Sequence, residues 1–111
     1  MDSGKRPVVV SGKYADDLKN IFQYCVETFG FAGAMLFYEN MERLIKNLDT
    51  AYSMYPECRF LSTKRKMYRN IILESYLIIY RITPKRIEVL RVFHSSICTD
   101  RRIRTVRKVA L

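Results

Sequence analysis

Residues 68–94, YRNIILESYLIIYRITPKRIEVLRVFH, form three apolar runs separated by two short polar breaks. The runs Tyr68–Leu73, Tyr76–Ile82 and Arg86–His94 are rich in isoleucine, valine and tyrosine, which pack well on the pleated surface of a sheet. Because the breaks are short enough for tight turns, the stretch predicts an antiparallel meander of three strands.

A turn centred on Pro84-Lys85 predicts which residues face each other across the last two strands. It places Arg81 opposite Glu88 on one face of the sheet. The other predicted pairs are Ile79 with Leu90, Leu77 with Val92 and Ser75 with His94 on that face, and Ile82 with Ile87, Tyr80 with Val89, Ile78 with Arg91 and Tyr76 with Phe93 on the opposite face. Both faces are mainly apolar, so the sheet needs cover on both sides.

The residues before the meander predict a strand followed by two helices. The segment PVVVS at Pro7–Ser11 is β-branched and opens with a proline. Apolar residues then recur at helical intervals over residues 14–29 and again over 34–52, and Gly30 is suited to end the first helix. Residues ~12–52 therefore predict an αα-hairpin with a very short linker.

Two basic segments flank the meander. The loop at residues 53–67 is longer than a typical connection and carries the basic cluster Lys64–Lys66. The tail CTDRRIRTVRKVAL at residues 98–111 predicts a short basic helix or an ordered arm, capped by Thr99 or Asp100.

These elements predict a single α+β domain over residues 1–111. An N-terminal strand and an αα-hairpin pack on an antiparallel three- to four-stranded sheet, with a short C-terminal basic helix or arm. One hairpin can cover only one face of the sheet, so the other face would present an apolar patch. We expect a second protein, or the C-terminal arm, to cover that patch. The apolar residues assigned to it are Leu77, Ile79, Leu90 and Val92.

The charge of the chain is unevenly distributed. The net charge is +9, but residues 1–58 contain six Lys/Arg and eight Asp/Glu, whereas residues 59–111 contain fourteen and three. Such a basic half favours a polyanion or an acidic protein as partner.

Cysteine and histidine usage argues against a metal site or a disulfide framework. Cys25, Cys58 and Cys98 are widely spaced, and the chain has one histidine. We therefore expect neither a metal nor another cofactor. No apolar run approaches the ~18 residues of a membrane span, and the start of the chain lacks the apolar core of a secretory signal. A cytoplasmic location is expected.

Three charged residues of the meander have both a structural and a functional interpretation. Arg81 either pairs with Glu88 or holds a phosphate or carboxylate through its fork of donors. Arg91 either holds a phosphate or carboxylate in the same way, or extends past the sheet edge and keeps its charged head in solvent. His94 either forms a local hydrogen bond at a strand end or acts in catalysis.

The quoted runs also resemble a known family. The order of strand, αα-hairpin, basic loop and three-stranded meander, with the pattern YRNIILESYLIIYRI…IEVLRVFHSS, resembles the RelE/ParE superfamily of bacterial toxins from type II toxin–antitoxin systems. The resemblance implies a small cytoplasmic toxin from such a plasmid stabilisation module. Its cognate antitoxin would wrap it with an amphipathic, acidic C-terminal segment.

The superfamily divides by target. RelE-like members cut messenger RNA on the ribosome with basic residues, sometimes with a histidine, and would imply catalytic roles for His94, Arg81 and Arg69. Several of them carry an arginine at the position of Leu77. ParE-like members act on DNA gyrase, commonly have an aliphatic residue at that position, and end in a basic segment.

The sequence is more similar to the ParE-like branch, so a gyrase-inhibiting toxin is the first hypothesis. A ribosome-dependent endoribonuclease is the second, and a basic nucleic-acid-binding domain without a toxin role is the third. The residues expected to bind the target or the antitoxin are Lys64, Arg65, Lys66, Leu77, Ile79, Leu90, Arg91, Val92, Arg101 and Arg102.

Overall fold

The computed structural model describes residues 4–111 and has the predicted α+β architecture. Its elements are β1 (Val8–Val10), α1 (Gly12–Ala51), β2 (Tyr68–Leu73), β3 (Tyr76–Ile82), β4 (Ile87–His94) and α2 (Asp100–Arg104), with short 3-10 turns at Arg59–Leu61, Ser95–Ile97 and Thr105–Lys108. The strands form one sheet in the order β1-β4-β3-β2. Strand β1 runs parallel to β4, and the other pairs are antiparallel, so the predicted meander is confirmed.

The helical segment α1 is the predicted αα-hairpin. Gly30 has φ 85° and ψ 167°, a backbone conformation that interrupts the helix and that glycine adopts without steric cost. Phe22 packs edge-on against Tyr38, with ring centroids 5.9 Å apart, although sixteen residues of straight helix would span roughly 24 Å. The two arms of α1 therefore fold back on each other. The first arm begins at Ser11, whose hydroxyl accepts the Tyr14 N–H at 2.9 Å.

The register of β3 and β4 was predicted correctly only near their turn. Arg81 pairs with Glu88, and the two flanking pairs also hold. A β-bulge between Ile79 and Tyr80 then adds Leu90 to β4, and every later pair shifts by one residue. The five pairs predicted beyond this point are wrong, because Ile79 pairs with Arg91, Ile78 with Val92, Leu77 with Phe93 and Tyr76 with His94.

Each face of the sheet has its own cover and its own apolar cluster. The α1 hairpin covers one face and buries Ala34, Phe37, Met41, Ile45 and Leu48 against Ile71, Ile78, Tyr80, Val89 and Val92 of the sheet. The opposite face, with Tyr68, Ile79, Leu90 and Phe93, is covered by Cys58, Leu61, Ile103, Val106 and Val109. Of the two covers expected for this second face, the C-terminal arm is present in the isolated chain. Within residues 4–111 no helix has both the length and the apolarity to cross a membrane.

Candidate functional site

The C-terminal arm is amphipathic with a period of three residues. The Thr99 hydroxyl caps α2 by accepting the Arg102 N–H at 3.3 Å. Ile103, Val106 and Val109 point into the second apolar cluster, as residues three apart do when an α-helical turn continues into a 3-10 turn. The basic residues of the arm therefore remain on its outer side. They are Arg101, Arg102, Arg104, Arg107 and Lys108, all exposed.

The basic loop packs beside the arm. Leu61 is buried in the same cluster as the arm, and the 3-10 turn Arg59–Leu61 lies against α2. Arg107 Nη2 donates to the Ser62 carbonyl at 3.3 Å, which joins the two segments directly. We call the exposed basic residues of these two segments together the basic surface. Its exposed residues are Arg59, Lys64, Arg65, Lys66, Arg101, Arg102, Arg104, Arg107 and Lys108.

Glu88 organises a network at the end of the sheet near the turn between β3 and β4. Its carboxylate is buried and accepts Arg81 Nε at 2.6 Å and Arg86 Nε at 2.8 Å. Burial alone would raise the pKa of Glu88, but the hydrogen bonds from the two arginines outweigh it and lower that pKa. Burial likewise opposes the charge of Arg81, yet the bonds to Tyr68 and Glu88 raise the pKa of Arg81. The structural interpretation of Arg81 is therefore the one that the geometry supports.

Arg69 anchors the basic loop to β2. Its Nε donates to the Lys66 carbonyl at 2.8 Å, and its Nη1 donates to the carbonyls of Ser53 and Tyr55 at 3.1 and 2.7 Å. The Nε and Nη1 donors of the guanidinium are thus bound by three main-chain carbonyls of one loop. Arg69 thus fixes the path of the loop that carries Lys64–Lys66.

Arg91 does not extend into solvent past the sheet edge, so that expectation is wrong. Its guanidinium pairs with the Asp17 carboxylate through two hydrogen bonds of 2.6 and 2.9 Å. The same carboxylate accepts the Val92 N–H at 3.1 Å, where β1 no longer pairs with β4. Arg91 also lies 4.7 Å from the ring centroid of Phe93. Arg91 therefore connects β4 to the α1 hairpin through Asp17.

His94 lies far from the two other residues of the possible nuclease site. Its Nδ1 is 2.7 Å from the Ser96 hydroxyl, and its ring contacts Tyr76 edge-on at 5.2 Å. Tyr76 pairs with His94 and Arg81 pairs with Glu88, five residues further along β3, which corresponds to roughly 16 Å at the rise of a strand. Arg69 pairs with Tyr80 near the Arg81 end. The three residues do not converge on one site.

The predicted binding residues divide into exposed and internal ones. Lys64, Arg65, Lys66, Arg101 and Arg102 are exposed on the basic surface, and Leu77 is half-buried beneath it. Ile79 and Leu90 are fully buried under the arm. Val92 faces the α1 hairpin, because the bulge reverses the side on which it was predicted to point.

A cleft beside His94 was missed by the sequence interpretation. It has a volume of about 700 Å³ and lies between the turn of the α1 hairpin and the β2–β3 turn. Its rim carries Phe29 and Leu36, whose side chains are 69% and 61% exposed. Phe29 is the last of the apolar residues that recur at helical intervals in the first helix, and it directly precedes Gly30, where the helical spacing ends. Burial and the neighbouring Cys25 raise the pKa of Tyr76, which lines this cleft, to about 12.

The described part of the chain holds no cluster of three His, Cys, Asp or Glu side chains placed to bind a metal ion. All three cysteines are free. Burial raises the pKa of the Cys58 and Cys98 thiols, which disfavours their reactive thiolate forms.

Comparisons with known proteins bear on the fold and the family. The sequence model described as "ParE toxin of type II toxin-antitoxin system, parDE" matches residues 8–97. A search of curated proteins finds no match. A solved structure described as "Chromosomal ParDE TA system from P. aeruginosa" superposes with a TM-score of 0.68 at 20% sequence identity, covering 82% of this chain and 97% of that one. At this identity the structural likeness concerns the fold. The C-terminal arm from residue 98 onward lies outside the range that the family model matches.

Proposed function

The chain belongs to the ParE toxin family of type II toxin–antitoxin systems, and we propose that it acts in the cytoplasm by inhibiting DNA gyrase without cutting RNA. Its activity is held in check by a cognate antitoxin. Family membership supports the toxin role, and the internal arrangement of the candidate catalytic residues supports the choice of target.

The separation of the possible catalytic residues carries the proposal. A nuclease needs a proton acceptor and a cationic group at the same phosphate. Here His94 lies at one end of β3 and β4, while Arg81 at the other end is bound to the buried Glu88 carboxylate. Leu77, at the position where several RNA-cutting relatives carry an arginine, is an aliphatic residue half-buried beneath the arm.

The basic surface is the proposed site for the partner proteins. Its exposed residues Lys64–Lys66, Arg101 and Arg102 would contact the acidic segment of the antitoxin or the gyrase complex. Charge of one sign on both segments favours rapid encounter with an oppositely charged partner, and the effect weakens as salt rises. Ile79 and Leu90 support this surface from beneath.

The experiment is controlled expression in bacteria, followed by assays of both targets. We expect growth arrest, inhibition of supercoiling by purified gyrase and trapped gyrase–DNA complexes, with ribosome-bound messenger RNA left intact. Cleavage of messenger RNA at the ribosome would instead support the endoribonuclease hypothesis. Growth without arrest and without either effect would contradict both toxin hypotheses.

A single substitution distinguishes the two targets further. Glutamine at position 94 keeps hydrogen-bonding capacity but cannot shuttle a proton, and His94 is only half-buried, so His94→Gln should fold. We expect the variant to stay as toxic as the parent. Arg81→Ala is a poor test, because it would leave the Glu88 carboxylate with one arginine fewer.

A further inference from the structure

Three arginines converge on a cleft between the basic loop and the C-terminal arm. The cleft has a volume of about 430 Å³ and is lined by Arg59, Phe60, Ser62, Arg104 and Arg107. The arginines come from segments about 45 residues apart in the chain, held together by the bond from Arg107 to the Ser62 carbonyl. The three side chains are exposed, so their charged groups face the cleft or the solvent around it.

No carboxylate neutralises these arginines within residues 4–111. The four ion pairs in that range use the cations of Lys5, Arg81, Arg86 and Arg91, and none of them lies at this cleft. Elsewhere the same chain pairs its arginines closely, as Arg91 with Asp17 at 2.6 Å shows. Like charges brought together without a counter-charge repel one another, and an anion in the cleft would remove that repulsion.

The chemistry of the lining favours phosphate groups of a nucleic acid. Guanidinium groups bind phosphate oxygens through paired N–H donors. The Arg59 guanidinium lies over the Phe60 ring, 5.9 Å from its centroid, which places this cation at the wall of the cleft. The apolar residues Ile103, Val106 and Val109 of the arm point inward and are buried. An acidic amphipathic peptide would therefore find arginine partners for its carboxylates here but no groove for its apolar side.

We propose that the cleft formed by Arg59, Arg104 and Arg107 binds the phosphate backbone of a nucleic acid directly. Family membership does not account for this site, because Arg104 and Arg107 lie beyond the matched residues 8–97. The proposal is independent of the gyrase assignment.

The test measures binding of the purified full-length chain to a short fluorescent DNA duplex over a series of salt concentrations. Each phosphate contact contributes about 0.9 to the slope of log affinity against log salt. The variant Arg59→Gln/Arg104→Gln/Arg107→Gln should bind at least about tenfold more weakly at low salt, with a slope smaller by about 2 to 3. Arg104→Gln alone should reduce the slope by about 1.

The matched control removes the same charge from the opposite side of the molecule. Lys13→Gln/Lys19→Gln/Lys46→Gln neutralises three exposed lysines of α1 and should leave the slope unchanged. Arg104 forms no side-chain ion pair within residues 4–111, so Arg104→Gln should keep the thermal unfolding midpoint of the parent while its binding weakens.

Three results would overturn the proposal. The first is the absence of duplex binding at low salt by the parent chain. The second is an equal loss of slope in the arginine and lysine variants, which would show that binding depends on the net charge of the chain and not on the cleft. The third is an unchanged affinity and slope in the triple-arginine variant, which would place the duplex elsewhere on the chain.

Discussion

The two faces of the sheet are covered in different ways. The α1 hairpin covers one face with a helical segment of 40 residues whose buried residues come from both of its arms. The other face is closed by a 3-10 turn, five residues of α2 and a further 3-10 turn. The first cover is long and apolar where it meets the sheet. The second is short, and most of its exposed residues are basic.

This difference suggests a division of roles: the hairpin stabilises the sheet, and the second cover binds a partner. A long amphipathic hairpin buries enough apolar area to hold the sheet, so its outer face has no need of strong charge. The second cover is shorter, and an ion pair between Arg81 and Glu88 lies on the same face of the sheet. Charge on that cover is therefore available for a partner. Substitutions on the two covers should test this division.

The largest effect is expected in the hairpin cover. Leu48 is fully buried against the sheet, and Leu48→Ala should lower the free energy of unfolding by about 3 to 4 kcal/mol, because the cavity it leaves cannot collapse between helix and sheet. Leu36→Ala in the same hairpin, where Leu36 is 61% exposed, should change it by less than about 0.5 kcal/mol. Urea denaturation measures both. Equal losses in the two variants would contradict the assigned cover.

The buried ion pair on the second face should have the next largest effect. Glu88→Gln leaves Arg81 and Arg86 without their shared carboxylate, and we expect a loss of about 3 kcal/mol in the free energy of unfolding. The matched control Glu39→Gln alters an exposed residue of α1 and should be nearly neutral. A loss below about 1 kcal/mol for Glu88→Gln would mean that the network contributes little to this face.

The pH dependence of this effect follows from the pKa of Glu88. That pKa is lowered from its ordinary value of 4.5, so the folded state holds the carboxylate charged more strongly than the unfolded state does. The contribution of Glu88 to stability is complete above that value and is lost as the pH falls through the folded-state pKa. The difference between the parent and Glu88→Gln should therefore shrink in acid. A constant difference from neutral pH into acid would assign the effect to packing.

The connection between the hairpin and the sheet edge is expected to be weaker. Asp17→Asn replaces the charged partner of Arg91 and weakens the bond from the Val92 N–H, for an expected loss of about 2 kcal/mol. The adjacent Asp16→Asn is the control, because Asp16 is exposed. Thermal unfolding of the two variants gives the comparison. A melting temperature equally lowered in both would exclude a specific role for Asp17.

Local patterns predicted most of the fold. Helical spacing on either side of Gly30 predicted the hairpin, and alternation with short turns predicted the meander. The arm was predicted because Thr99 is a good capping residue before a basic amphipathic segment. The pair of Arg81 and Glu88 followed from its distance to the turn, where the register is set by few residues.

The bulge at Leu90 could not be predicted from the strand itself. Strand β4 carries no glycine or proline there to mark an irregularity. Instead, the Ser11 hydroxyl donates to the Leu90 carbonyl at 2.6 Å and Asp17 accepts the Val92 N–H, so α1 holds the bulged segment from about 75 residues away in sequence. The misplacement of Arg91 has the same origin, because its partner Asp17 belongs to a different element. The candidate site was therefore predicted where it depends on composition, as at Lys64–Lys66, and missed where it depends on long-range contacts.

The smallest effects are expected at the caps that begin the two covers. Ser11 is buried and makes two hydrogen bonds through its hydroxyl, to the Tyr14 N–H and the Leu90 carbonyl, whereas the exposed Thr99 makes one of 3.3 Å to the Arg102 N–H. We expect Ser11→Ala to lower the free energy of unfolding by about 1 to 2 kcal/mol and Thr99→Ala by about 0.5 kcal/mol. Because the arm is the thinner cover, Thr99→Ala should act mainly by opening it locally. Hydrogen exchange should then accelerate at Ile103 and Val106 while the amides of Met41 and Leu48 keep their protection. Acceleration at all four positions would show that arm and hairpin unfold as one unit, and the two faces would then differ in charge alone.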